Sequence, residues 1–487
     1  MSSTAPLIAV PSRLQLRGAL WHAVRLALVA AVCVLGAVVS LAPDMPGEAA
    51  DLAAAAQARA VLRYDSALTW YAAASAAMPG DPTPLCRSGE VYSLQQDWTD
   101  AVTAFRRCAV LAPDRAATWV ALGDALAAQG GSPLAAWQRA AGAGSLDGWR
   151  RLAIAAEAAG DFPAARRDWQ ALPPGDVEAE AHLGLIALAS GDYATARSEF
   201  LAVRARPGSY SDFLTNSGFV VLAALAPSDA LGLGQVGYAF LAAGMPSFAL
   251  APLQAAVARD PSLGDTHAYL GWALWTLGQI GAGRKEIALG AKLAPHLSFA
   301  EFAAGEVALH DGALDAALAD FQLGLQEGAR NPALWEDVGR VTLAQHDYLQ
   351  AEFAFQNAAQ LSTDATYTEA FLRFYAENAV GYRTQRAMLA ANTAIERFPR
   401  SEPLRYLEAE IYAEAGQPSA AYYAAVAAEQ LDPTDPAPHV FLGQFAESTG
   451  NYVTAALELR TALALRPDGS LSPQARALLA PIADVGE

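Results

Sequence analysis

Lysine is almost missing from this chain. Lys285 and Lys292 are the only two, so arginine carries nearly all the positive charge. There is no basic stripe and no arginine-rich tail, which argues against a nucleic-acid partner. Charged residues make up only 17% of the 487, and the net charge is −18. The seven histidines (His22, His182, His267, His296, His310, His346 and His439) are scattered. None stands at ligand spacing from another histidine or a cysteine, so neither metal nor cofactor is expected. P-loop, GxGxxG and GxSxG motifs are all missing, and strand-type alternation is nearly so. Glu301 with Glu306, and Asp315 with Asp320, could pair as acid and base. They lack a flanking base or metal ligand and read as solvated helix faces. An enzyme is therefore the remote reading, and no small-molecule substrate is indicated.

What is present begins with one charge-free run. Leu26–Ala42 is 17 residues without a charge, about 25 Å of helix. Ala19–Val24 can extend it, with Arg25 snorkelling and Trp21 in the headgroup belt. Residues 18–42 are accordingly expected to form a transmembrane helix, with 1–17 as a cytoplasmic tail. Arg13, Arg17 and Arg25 precede the run, whereas Asp44, Glu48 and Asp51 follow it. That asymmetry puts the remainder on the extracytoplasmic side, with a net charge of −20 over residues 46–487. A cleaved signal peptide is the alternative, although Pro43 after Ser40-Leu41-Ala42 disfavours cleavage. Abundant alanine and arginine with little lysine look like a GC-rich bacterial genome, hence a single-pass protein of a bacterial inner membrane.

The rest is periodic. In Gly264–Leu297, Leu270-Gly271 lies inside one apolar helical pattern, Gly278 breaks it, a second pattern runs through Ile287, and Pro295 closes it. Pro261 and Pro295 are 34 residues apart, as are Pro399, Pro433 and Pro467. A helix, turn, helix and closing proline at this period resemble the tetratricopeptide repeat (TPR) family. About twelve such units fall in phase over residues 48–470. Characteristic residues include Trp119, Leu122 and Gly123; Leu183 and Gly184; Gly305, Gly312, Ala317 and Phe321; and Leu442, Gly443 and Gly450. The resemblance implies an all-α, right-handed α-solenoid of about twelve helix hairpins behind the transmembrane helix. Its expected divisions are an N-terminal array (48–208), a joint (209–229), a C-terminal array (230–470) and a capping helix with tail (471–487). Phe213–Leu225 reads as one extra apolar helix at the joint, and Ser472–Ala483 as the cap over the last repeat.

The same resemblance places the concave groove on the first helix of each unit, chiefly at repeat positions 2, 5, 9, 12 and 13. In units six to eight these positions bring Tyr238, Leu241, Trp272, Trp275, Phe299, Phe302 and Glu306 together, with Tyr269 beside them and Arg340 in the next unit. A large exposed apolar patch of this kind marks a protein-docking groove. The alternative is that Trp272 and Trp275 pack between tightly wound helices. Lysine and asparagine of the family's carboxylate clamp are replaced by pairs such as Cys86/Glu90, Ala268/Trp272 and Phe302/Glu306, so that activity is not implied. Cys86 and Cys108 occupy one level of a single hairpin. Two separate thiols is the simpler expectation, and a disulfide is geometrically open outside the cytoplasm. The expected function is a membrane-anchored scaffold that binds a partner protein segment during assembly of an exported or membrane complex. An integral subunit of a large membrane complex is the alternative.

Overall fold

The computed structural model describes residues 64–295, 298–378, 383–467 and 469–482, together with Leu52 and Ala56. The expected membrane segment, 18–42, lies outside the described residues. Among the described residues, no helix is long and apolar enough to cross a membrane.

Twenty-six α-helices, and no strands, make up the described residues. Helix α1 (Tyr64–Ala77) opens the described array, with Leu52 packed against the cluster that holds its Tyr64 and Tyr71. Hairpins then follow: α2/α3 (Thr83–Leu94, Trp98–Leu111), α4/α5 (Ala116–Ala128, Leu134–Gly142), α6/α7 (Leu146–Ala158, Phe162–Gln170) and α8/α9 (Val177–Ala189, Tyr193–Arg204). After α10 (Ser209–Asn216) and α11 (Phe219–Leu225) come α12/α13 (Ala230–Ala242, Pro246–Arg259), α14/α15 (Gly264–Thr276, Ile280–Leu293) and α16/α17 (Ser298–His310, Leu314–Glu327). The last are α18/α19 (Pro332–Ala344, Tyr348–Leu361), α20/α21 (Ala365–Glu377, Thr384–Arg397), α22/α23 (Glu402–Glu414, Pro418–Leu431) and α24/α25 (Pro436–Ser448, Tyr452–Leu465), with α26 (Ser472–Leu479) behind them.

Local chemistry sets these boundaries. Asp97, Asp161, Asp192, Asp347 and Asn451 accept the backbone N–H three residues on, which caps second helices. Glycine in the left-handed region, such as Gly278 at φ 78°, turns the first helix into the second. Gln96 and His346 hold the same conformation without being glycine, at φ 59° and 60°. Within a hairpin, a glycine near the eighth residue of the first helix leaves room for a bulky side chain on the second. A Cβ on Gly89, Gly184 or Gly305 would sit 2.4–2.6 Å from the ring of Phe105, Phe200 or Phe321.

The α14/α15 hairpin goes further. A Cβ on Gly271 would meet the backbone N of Ile287 at 2.5 Å, and one on Gly283 the carbonyl of Gly271 at 2.7 Å. Gly264 and Gly290 are equally close to backbone of the facing helix. Where other units put a phenylalanine, tryptophan or leucine side chain against the glycine, this one brings backbone against backbone.

The first helices of successive hairpins touch directly: α12 meets α14, α14 meets α16, and α20 meets α22. Neighbours that approach most closely lie on the inside of a curve, so first helices line the inner face. The extra helix expected over Phe213–Leu225 is instead two short ones, because Gly218 at φ 74° breaks it. Leu214 and Phe219 are fully buried in a core that runs without interruption from Ala153 to Leu274. The joint is thus packed into the array. The cap is also shorter than expected, an eight-residue helix followed by a 3-10 turn over Ala480–Ile482.

The array also meets itself. Leu465 of α25 is buried in one cluster with Tyr64, Ala67, Tyr71 and Val91. Arg466 donates to the carbonyl of Leu94, and Gln95 donates to that of Ala464. The last repeat was expected to need only its cap, yet the first units cover part of it.

Candidate protein-docking strip

Helices α12, α14 and α16 lie side by side on the inner face and present their rings in sequence. Tyr238 and Tyr269 are 4.9 Å apart between centroids, Tyr269 and Phe299 4.8 Å, Phe299 and Phe302 5.9 Å, and Trp272 and Phe302 5.0 Å. Five rings from three repeats therefore form one unbroken run in the edge and tilted geometries that aromatic quadrupoles favour. Tyr238 is 45% exposed, and the other four are half-buried. Each ring leans on a neighbour and keeps one side in solvent. Packing between helices and exposure to solvent are consequently two aspects of the same side chains here.

The remaining expected residues fall around this run. Leu241 is half-buried against the central core. Trp275 makes its ring contact with His310, at 5.0 Å, and the Arg284 guanidinium lies over its ring at 5.5 Å. Trp275 thus sits one turn further along α14, at the end of the strip. Glu306 accepts from Arg340 at 3.3 Å, and Arg340 also bonds Asp337 at 2.8 Å. Burial, with Glu306 nearby, pushes the Asp337 carboxyl up to about 7, although Arg340 pulls the other way. Burial also raises the phenol of Tyr269 to about 12, so this ring stays neutral at physiological pH. The strip is apolar at its centre and ends in an arginine clamped between carboxylates.

Glu301, half of one imagined acid–base pair, is buried in α16. Cys86 and Cys108 have Cα atoms 5.3 Å apart and sulfurs in bonding contact, in place of two separate thiols.

Two of the histidines, far apart in the chain, share a device that metal-ligand spacing does not reveal. His267 bonds Glu286 through Nδ1 at 2.6 Å and the Pro261 carbonyl through Nε2 at 3.0 Å. His439 repeats this with Glu458 at 2.8 Å and Pro433 at 3.2 Å. Each imidazole pins a preceding turn to its own hairpin. The signal was available: in both units the histidine follows a proline by six residues and precedes a glutamate by nineteen. Burial lowers the pKa of His439, but Glu458 and the Pro433 carbonyl outweigh it and raise the imidazole above its ordinary value. Glu429, His439 and Glu458 bring ligand atoms within 4.8 Å of one another, the one grouping of metal-ligand type among the described residues. Both ring nitrogens of His439 already have protein partners there, and unit seven builds the same pin with Val257 in place of Glu429.

No family model matches the chain, and no curated protein matches it. Solved structures do. A tetratricopeptide repeat protein from Parabacteroides merdae is 16% identical, with 52% of this chain and 98% of that chain covered at a TM-score of 0.36. Yeast Tom70 is 15% identical over 90% of this chain and 96% of its own, at 0.35. Cut9, from the APC/C hetero-tetramer Cut9–Hcn1, is 14% identical over 88% and 95%, at 0.39. These likenesses extend to repeated helix hairpins and no further. The TPR-like fold of this chain rests on its own 34-residue period and on the small-residue contacts inside its hairpins.

Proposed function

We propose that this protein is a scaffold that holds a segment of a partner protein along its inner face, on the run from Tyr238 to Phe302. The supporting observation is that five rings from three successive repeats share one continuous, half-exposed surface. Tyrosine and tryptophan are efficient anchors because they offer large area at little entropic cost. An amphipathic helix or extended peptide would lay its apolar side chains on Tyr269, Trp272 and Phe299 and bring a charged group to Glu306 and Arg340. Residues 18–42 would tether the array to a bacterial inner membrane with the repeats outside the cytoplasm. The scaffold would then act on an exported or membrane-bound complex during its assembly.

The experiment is capture of the partner from solubilised membranes by the full chain and by a Trp272→Ala/Phe302→Ala variant. Capture should fall at least about tenfold, the scale of losing a buried aromatic anchor, while helicity and melting temperature hold. A variant that melts early and loses helicity would make these rings core and sink the docking reading. Stoichiometric, stable co-purification would point instead to an integral subunit of the complex. Protease accessibility in intact spheroplasts tests the orientation.

A further inference from the structure

Unit ten departs from its neighbours. In the α12, α14, α16, α18 and α24 helices the eighth residue is glycine: Gly237, Gly271, Gly305, Gly339 and Gly443. In α20 it is Leu372, fully buried. Six residues separate α20 from α21, where three separate α14 from α15. A leucine where two helices should touch opens the hairpin, and α20 and α21 barely meet. The space between α19, α20 and α21 is a cavity of about 500 Å³. That falls within the usual range for small-molecule sites, about 300–1,000 Å³.

Its walls are mixed. Ala359, Phe371 and Ala394 form an apolar floor, all buried. Two polar side chains reach into it from positions more than nine-tenths buried: Thr368, 6% exposed, and Glu352, 7% exposed. Thr368 Oγ1 has no hydrogen-bond partner, and neither has Glu352 Oε2. The other oxygen of Glu352 accepts from the Tyr375 hydroxyl at 2.9 Å and from Arg386 at 3.0 Å. Arg383 lies 3.5 Å from Oε2 as an ion-pair partner without hydrogen-bond geometry. The charge on Glu352 is thus already balanced by two arginines. What is unmet is a hydrogen bond to a buried acceptor, whose lost hydration nothing in the protein replaces.

We propose that the open hairpin of unit ten is a binding site for a neutral, largely apolar small molecule with a hydrogen-bond donor at its buried end. The apolar body lies on Ala359, Phe371 and Ala394, and the donor meets Glu352 Oε2 or Thr368 Oγ1. A cation would face Arg386 and Arg397 in the walls; Arg386 is paired with Glu352 and Arg397 donates to the carbonyls of Ala359 and Ser362, so the wall charges are already engaged and a neutral ligand fits the buried end. The cavity opens between second helices, away from the aromatic strip, and the proposal does not depend on the docking reading.

Fluorine NMR of fluoroindole with the full chain tests this. Fluoroindole carries one N–H on a flat apolar body, and its N-methyl derivative has the same body without the donor. Fluoroindole should bind, and the N-methyl form should bind more weakly by on the order of fivefold to tenfold, the net worth of one hydrogen bond. Ala390→Phe, at the cavity wall, should abolish binding while helicity is kept. Thr368→Val, which keeps the shape and removes the hydroxyl, should narrow the difference between the two probes. The proposal is overturned if fluoroindole does not bind at millimolar concentration, or if Ala390→Phe binds as well as wild type. Equal binding of the N-methyl form, or tighter binding of fluorotryptamine or fluoroindole acetate, would also overturn it.

Discussion

Arg466 donates a hydrogen bond to the backbone carbonyl of Leu94 at 2.5 Å, across 372 residues of sequence. Beside it Gln95 donates to Ala464, and Leu465 fills a cluster with Tyr64, Tyr71 and Val91. A solenoid whose units touch only their neighbours gains stability locally along its length. Here the end units gain a second neighbour each, so the seam removes two ends that would otherwise fray. A Gln95→Cys/Ala464→Cys variant should form an intramolecular crosslink under mild oxidation, mapped by peptide mass spectrometry. Absence of that crosslink in the monomer would mean that the seam is open in solution.

The backbone contact in α14/α15 predicts an unusual sensitivity to a single methyl group. Gly271→Ala puts a Cβ 2.5 Å from Ile287 N and 2.8 Å from Gly283 O, and neither is a movable side-chain tip. Overpacking of this kind costs about 1–3 kcal/mol. His346→Gly has the opposite sign, since it relieves a left-handed residue at φ 60° and should gain on the order of 0.5 kcal/mol. Urea denaturation of both variants beside wild type checks the ordering.

Much of this was legible because the repeat is written in small residues. Gly278, Gly312 and Pro295 mark turns whatever surrounds them, and the rings at Tyr238, Trp272, Phe299 and Phe302 recur at first-helix positions. What could not be read depends on contacts distant in sequence. The seam pairs residues near 94 with residues near 465, and no local pattern encodes that. The opening of unit ten was visible in the sequence, as Leu372 where neighbouring first helices carry glycine. Gly218 splits the joint into two helices although the apolar run through it looks continuous. The aromatic run was legible as a set of residues. Its continuity was not, because ring-to-ring spacing depends on how closely α12, α14 and α16 are stacked.

Acidity should act through Asp337. Its carboxyl, ordinarily near 3.8, is raised to about 7, first by burial and then by Glu306, against the pull of Arg340. A raised pKa means that the folded state holds the proton more tightly than the unfolded chain. The resulting stability is fully present below the unfolded value and is lost as pH climbs from about 4 to about 7. Asp337→Asn removes this dependence, so its melting temperature should gain on wild type as pH rises through that window. Glu402, also raised to about 7, by burial and by Asp435 and Asp432, leaves a residual slope in both proteins. Parallel curves for the two proteins would contradict the assignment to Asp337.

The cysteine pair gives a redox prediction. Cys86 and Cys108 bridge the two helices of one hairpin over a separation of 22 residues. A loop of that size is worth about 3 kcal/mol to the folded state. Alkylation of the unfolded chain should label both cysteines only after reductant, with the matching mass shift, and Cys86→Ser/Cys108→Ser should lower the melting temperature. Equal labelling with and without reductant would leave two thiols.

A partner held as proposed meets the inner face of the array. A photo-crosslinking amino acid placed at Trp272 on the inner face, or at Leu349 on a second helix and 66% exposed, reads this directly in native membranes. Position 272 should give one discrete adduct, lost when Tyr269 and Phe299 are both changed to Ala, and position 349 should give none. The same adducts from both positions, or none from 272, would contradict it.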